Sequence, residues 1–280
     1  MNNAENNKLE RFGFDFKRAG AHTSRTLMLD ELSILLSYLD NANVDKADYL
    51  TAIIDDNCLN KRTLTNRKLT YRDLVTLYTL DESLAIFRAL LFFWQRDQQA
   101  HPLLALLCSY GRDALLRLTA PFIINFSEGV VVQLRLTAPF IINFSEGVVV
   151  HRVMMEEFIE QQQPERFSPA TLKSTAQNIN ASWTQTGHLN GRTPKLRSQA
   201  KATPGSVAYT LFLGYLMGVR GESLFQTEFA KLLDCTIDQD IDLAEEASRR
   251  GWIVFKRVGR TIEVLFPLLL TQQEMEWLRE

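Results

Sequence analysis

Seven Lys and Arg side chains and not one Asp or Glu lie between Arg166 and Gly221, in a chain with 33 acids among 280 residues. They are Arg166, Lys173, Arg192, Lys195, Arg197, Lys201 and Arg220. Cations gathered without carboxylates suit the neutralisation of phosphates, because an acid within a Debye length, about 8–10 Å, would cancel the attraction. Gln177, Asn178, Asn180, Thr184, Gln185 and Asn190 add groups that hydrogen-bond phosphates and base edges. Arg192, Lys195, Arg197 and Lys201 fall in a Gly-, Pro- and Ser-containing loop, where a flexible arm would follow a groove. Their replacement by alanine is expected to weaken DNA binding and leave folding intact. The rival reading is a merely solvated loop beside an apolar helix that has no use for acids.

Charge is distributed rather than global. The chain carries −2 overall; residues 1–165 carry −4, residues 166–221 carry +7 and residues 222–280 carry −5. Affinity for a polyanion must therefore come from placement. Two smaller clusters are candidates. Lys61, Arg62, Arg67, Lys68 and Arg72 lie within twelve residues without an acid, although a charge run on a helix is commonly a solvated face. Lys256, Arg257 and Arg260 surround a predicted hairpin turn, where a wing would meet phosphate. The helix before that hairpin carries Asp238, Asp240, Asp242, Glu245 and Glu246. A major groove would repel it, so docking to protein suits it better.

Other chemistry finds little support. His22, His101, His151 and His188 match no metal-ligand spacing, and Cys58, Cys108 and Cys235 form no CxxC pair. There is no phosphate-binding glycine loop and no GxSxG. Gly214, Gly218 and Gly221 suit close helix packing. Adjacent acids, Asp55-Asp56 and Glu156-Glu157, point apart on a helix and make no acid–base dyad. Trp183 and His188 beside the basic loop suit capping or the core more than base stacking. No catalytic residue, metal or cofactor is expected. The opening residues do not read as a signal peptide, and no apolar run reaches the ~18–20 residues of a membrane span. The expectation is a soluble, cytoplasmic protein with no membrane partner.

The elements that must position these residues are mainly helical. Apolar spacing predicts helices over 27–39, from Asp48, from a cap at Thr65 or Asn66 to about Leu77, from Asp81 or Ser83, and from His101-Pro102 through Leu118. These make an N-terminal helical bundle over 1–163, whose last helix is VMMEEFIEQQQ. A second unit, 164–280, holds a helix begun by Ser168-Pro169, the loop 188–205, an apolar helix over 207–219, and helices over 223–234 and 240–250. A hairpin of WIVFKRV and TIEVLFP around Gly259-Arg260 closes it. Helices followed by a hairpin give a small winged-helix-like α+β module.

One feature is unusual. LRLTAPFIINFSEGVVV occurs at 116–132 and again, letter for letter, at 134–150. Two identical copies are not the drifted repeats of a solenoid; a recent in-frame duplication, or an error in the gene or its reading, explains them better. Pro121 and Pro139 break helices, so one copy is expected to fill the native place and the other to be extruded.

Several segments together resemble the BrxA-type proteins of bacterial BREX anti-phage systems. Phe16-Lys17-Arg18-Ala19-Gly20-Ala21 precedes a helix. The stretch from Ile54 to Thr63, IDDNCLNKRT, is similar to the family's I…N-x-L-x-K-x-T. Ser168–Leu189 is similar to its S-x-x-T…L…G-x-L segment. The likeness covers roughly residues 15–190; the C-terminal module at about 205–280 and the duplication depart from it. It implies an all-helical protein that binds double-stranded DNA, has no enzymatic activity and serves other defence-system proteins. It carries over Lys61, Arg62, Lys173 and Arg192 as phosphate contacts.

The sequence thus predicts a non-enzymatic DNA-binding accessory protein. The alternative is a helical adaptor between proteins. RNA binding stands third, since few aromatics are available to stack unpaired bases.

Overall fold

The computed structural model describes residues 3–16, 20–39, 44–123, 146–259 and 261–279. Helices dominate, and their ends follow from their caps. After α1 (Asn3–Glu10) and α2 (Leu29–Tyr38), α3 (Lys46–Ile54) starts at Asp45, whose carboxylate accepts from the Ala47 and Asp48 N–H groups. α4 (Leu64–Tyr78) is capped by Thr63, two residues before the expected start, because the Thr63 hydroxyl reaches the Asn66 N–H. α5 (Ala85–Trp94) is largely buried, and α6 (His101–Tyr110) wholly apart from its first turn.

The helix expected over 101–118 is two. After Gly111, the Asp113 carboxylate accepts from Leu115 and Leu116 N–H and starts α7 (Ala114–Ile123). A side chain that offers itself to free N–H groups founds a new helix start. Pro121 lies inside α7 and does not end it, contrary to the expected break. The expectation that one copy of the duplication is extruded falls on 124–145, outside the described residues.

β1 (Val149–Val150) leads into α8 (Arg152–Gln162), which packs along α9 (Pro169–Gln185). Ser168 caps α9 and Pro169 fills its first turn, as expected. The loop 188–205 is more ordered than its composition suggests. It contains β2 (Leu189–Asn190) and β3 (Lys195–Arg197), and β3 pairs antiparallel with both β1 and β2 (Val149 opposite Leu196, Leu189 opposite Arg197).

α10 (Pro204–Leu216) packs on α5, α6 and α12, and opens with a capping box between Thr203 and Ser206. The expected helix 223–234 is a 3₁₀ turn, Gly221–Gln226, and a short α11 (Glu228–Lys231), because Thr227 is extended and caps α11 anew. α12 (Ile237–Arg249) follows. The expected hairpin is present as β4 (Val254–Val258) and β5 (Thr261–Leu265), antiparallel with Lys256 opposite Glu263. α13 (Gln272–Trp277) was not anticipated.

The buried apolar side chains form one cluster running from Leu9 to Leu269, across the expected boundary at 163/164. Each fully buried ring such as Phe87, Phe93 or Phe212 contributes about 1.5–3 kcal/mol. The C-terminal hairpin is fastened to this core by rings, Phe266 lying 5.1 Å from Phe212 and 5.3 Å from Tyr215. Arg88, the charge that interrupts the apolar Leu84–Trp94 stretch, reaches out of α5 to the Glu274 carboxylate of α13 at 2.6 Å. Among the described residues no helix is long and apolar enough to cross a membrane.

Candidate nucleic-acid interface

The acid-free stretch does not present its cations as one arm. Arg197 is buried: its guanidinium donates to Asp234 Oδ1 at 2.6 Å, to the His188 carbonyl at 3.2 Å and to the Ser198 carbonyl. A buried guanidinium paired with a carboxylate holds the β3 segment against Asp234 and is shut away from phosphate, so Arg197 leaves the candidate set. Lys201 lies elsewhere, its Nζ 2.9 Å from Gln99 Oε1 beside the α5–α6 connection. Arg166 is engaged with Gln163 and the Phe167 ring, and Arg220 stacks 3.5 Å over Tyr215.

What remains centres on α9 and the β2–β3 turn. Ala170, Lys173, Gln177, Ala181 and Thr184 recur at three- and four-residue spacing, so they share a face; the first three of these, Lys173 among them, are exposed. Lys195 lies over the far end of that face, its Nζ donating to Thr184 Oγ1 at 2.6 Å; partial burial lowers the Lys195 pKa. Arg192 is exposed in the turn. Asn178 and Asn180 turn inward instead. Asn178 donates to the His22 carbonyl at 3.1 Å, and Asn180 is buried. Trp183 and His188 are core residues, edge to face at 4.9 Å.

The second cluster is better built than its sequence suggests. Lys68 and Arg72 are exposed one turn apart on α4, and exposed Arg62 precedes the helix. Arg25, which sequence reasoning passed over, joins them. Its Nε donates to Asp73 Oδ2 at 2.9 Å, while Arg72 Nε and Nη2 donate to Oδ1 at 3.0 and 2.9 Å. Asp73 itself is 4% exposed. One buried acid thus holds two guanidiniums, 37% and 64% exposed, side by side at the surface with net positive charge. The spacing of 48 residues hid Arg25; its only signal was Asp73, the acid that directly follows the basic run.

Arg25 belongs to a strap, residues 21–27, that is tied to α9 as well: Ser182 Oγ accepts the Leu27 N–H at 2.8 Å. Two other members of the cluster are spent on structure. Lys61 pairs with Glu31 at 3.1 Å, and Arg67 donates to the Ile54 carbonyl at 2.9 Å from a half-buried position. On the hairpin, Lys256 pairs across the strands with Glu263 at 3.3 Å, Arg257 is exposed, and Arg260 lies outside the described residues. Arg62, Lys68, Lys173 and Arg192 have no ion-pair partner among the described residues.

Three residues far apart in sequence assemble in the interior. His22 Nδ1 donates to Asp113 Oδ2 at 2.7 Å, and His22 Nε2 lies 3.0 Å from Ser182 Oγ. Burial alone would raise the Asp113 carboxyl, yet the imidazole and the Leu116 and Ala21 N–H groups hold it below the usual carboxylate range. The order acid, imidazole, hydroxyl is that of a nucleophilic triad. All three side chains are fully buried, however, and Ser182 Oγ is also bonded to the Leu27 N–H and the Asn178 carbonyl. The network staples the strap to α7 and α9.

Gly214 lets α10 approach Leu224 and Thr227, where a Cβ would sit 3.1 and 3.2 Å away; Gly218 and Gly221 instead supply positive φ, Gly218 in an open turn and Gly221 at the start of the 3₁₀ turn. Among the described residues no group of His, Cys, Asp and Glu is placed to hold a metal ion. No family model matches the chain, and neither does any curated protein or solved structure.

Proposed function

We propose that this protein is a non-enzymatic, DNA-binding accessory protein that contacts duplex phosphates along the strap between α4 and α9. The observation that carries the reading is the Asp73-held pair Arg25 and Arg72. Two forked guanidiniums fixed at the surface lose little freedom on meeting a phosphate and offer it bidentate hydrogen bonds. Lys68 and Arg62 extend the contact along α4. On the α9 side Lys173, Arg192 and Lys195 do so, with Gln177 between them. The likeness to BrxA-type proteins agrees with this assignment and suggests service in a phage-defence complex.

The C-terminal unit, read as winged-helix-like, is the docking end. Its α12 is acidic, and Lys256 is offset by Glu263, so it suits protein better than DNA. Val258 is 81% exposed at the hairpin end and Leu268 62% exposed beyond it, apolar area of the kind that favours the adaptor as second reading.

Fluorescence anisotropy with labelled duplex DNA, single-stranded DNA and an RNA hairpin, at low and physiological salt, tests the choice. The DNA reading expects tightest binding to duplex, weakened by salt. Absence of binding to all three leaves the adaptor.

A further inference from the structure

A cleft of about 450 Å³ opens where three distant segments meet: the α5–α6 connection, the residues before α10, and the end of α12. Each contributes a cation to its wall, Arg96, Lys201 and Arg250. We propose that this cleft binds a phosphate group. The site is separate from the strap and stands or falls independently of it.

The cations are pre-positioned, and mostly by neutral groups. Arg96 stacks 3.7 Å over Phe92 and donates to the Phe92 carbonyl at 2.9 Å. Lys201 Nζ is steered by Gln99 Oε1 at 2.9 Å. Neither has a carboxylate partner among the described residues. Arg250 lies 4.9 Å over Trp252 and pairs with Glu246 one turn earlier. Stacking leaves the edges of a guanidinium free to donate.

Two carboxylates border the cleft, and their commitments differ. Asp97 is 9% exposed, and its Oδ2 accepts the Gly205 N–H at 2.9 Å, so it neutralises the positive start of α10. Gly205 permits that approach, since a Cβ there would lie 2.8 Å from Asp97. Glu246 is half-exposed and offsets Arg250 alone. Arg96 and Lys201 thus carry no ion pair among the described residues, and the cleft's three cations outnumber its two carboxylates around a space large enough for a phosphate and part of what it is attached to. A dianionic phosphate would take hydrogen bonds from all three cations. In doing so it would join the helical bundle to α12.

Two sources offer this chemistry, a small phosphorylated molecule and the DNA backbone. Calorimetric titration of the full chain with inorganic pyrophosphate, against chloride at matched ionic strength, is run beside duplex titrations. Both are repeated with R96A/K201A, two exposed positions whose replacement should leave the melting curve in place. The proposal expects pyrophosphate to bind and the double variant to weaken it about tenfold or more. Unchanged duplex binding in that variant then identifies a small-molecule source. A parallel fall in duplex affinity identifies the backbone as source. If pyrophosphate does not bind, or binds the variant equally well, the proposal is overturned. Weakened duplex binding in α4 variants such as K68A/R72A would not affect the pyrophosphate result, so failures of the two sites are distinguishable.

Discussion

Arg25 and Arg72 hold opposite oxygens of one carboxylate, Asp73, although 47 residues separate them in the chain. The acid is buried and the two guanidiniums are not, so the pair is oriented from below and free above. Replacing Arg25 by alanine leaves Arg72 on Asp73. We expect a stability loss under about 1 kcal/mol in urea melts, as for other partly exposed ion pairs. The log–log salt slope of duplex binding should become shallower by about 0.9, one phosphate's worth. A large stability loss with unchanged binding would make the pair purely structural.

Ser182 should behave as a buried acceptor. Ser182→Ala leaves the Leu27 N–H and His22 Nε2 without their oxygen, which costs about 1–3 kcal/mol for an orphaned buried group. Chemical denaturation reads this directly. No change in the midpoint would mean that the His22–Asp113–Ser182 staple does not hold the strap.

Arg197 and Arg192 look alike in sequence, five residues apart in one basic loop. The structure separates them, and alanine substitution should too. Arg197→Ala strands Asp234 in a largely buried position and is expected to cost about 3–5 kcal/mol. Arg192→Ala should lie within about 0.5 kcal/mol of the parent and should weaken duplex binding. The expectation that all four loop cations can be removed without harm to folding therefore fails at Arg197. Equal thermal midpoints for the two variants would contradict this division.

Much of the helical frame was legible because caps and periodicity are local. Ser168-Pro169 marked α9 to the residue, and the glycine turn marked the β4–β5 hairpin. What was not legible depends on partners distant in sequence. Asp113 splits one apolar run into α6 and α7, yet it looked like one more charge in RDALL. Strands β1 and β3 are two and three residues long, too short to show alternation, and exist because they meet. Arg25 acquires its role from Asp73, and Arg197 gives up its role to Asp234. A count of charges along the chain sees neither.

Two buried groups should give the protein opposing pH responses. Burial lowers the pKa of His188 to about 4, while Nε2 donates to the Leu232 carbonyl at 3.1 Å. The unfolded chain then binds the extra proton between about pH 6.5 and 4, and stability falls as pH falls through that window. Burial raises Asp240 to about 7, with the Cys235 thiol donating to it at 2.9 Å. Here the folded chain binds the extra proton, and stability falls as pH rises from about 4 to 7. The two slopes oppose each other. D240N should remove the second, raising stability at pH 7 and leaving a steep decline on acidification. A D240N profile parallel to the parent between pH 4 and 7 would refute the assignment.

In the proposed binding mode, cations on the strap, α4 and the α9 side meet duplex phosphates as one surface. The most direct test is the salt dependence of duplex affinity for the parent and for K68A/R72A/K173A/R192A, all four at exposed positions. Parent binding should fall steeply with salt, and the variant's slope should be shallower by about 0.9 for each phosphate it no longer neutralises. The variant should stay folded, with a stability loss of about 1 kcal/mol from loosening the Asp73 pair. A parent that fails to bind duplex even at low salt, or a variant whose affinity and slope match the parent's, would contradict it.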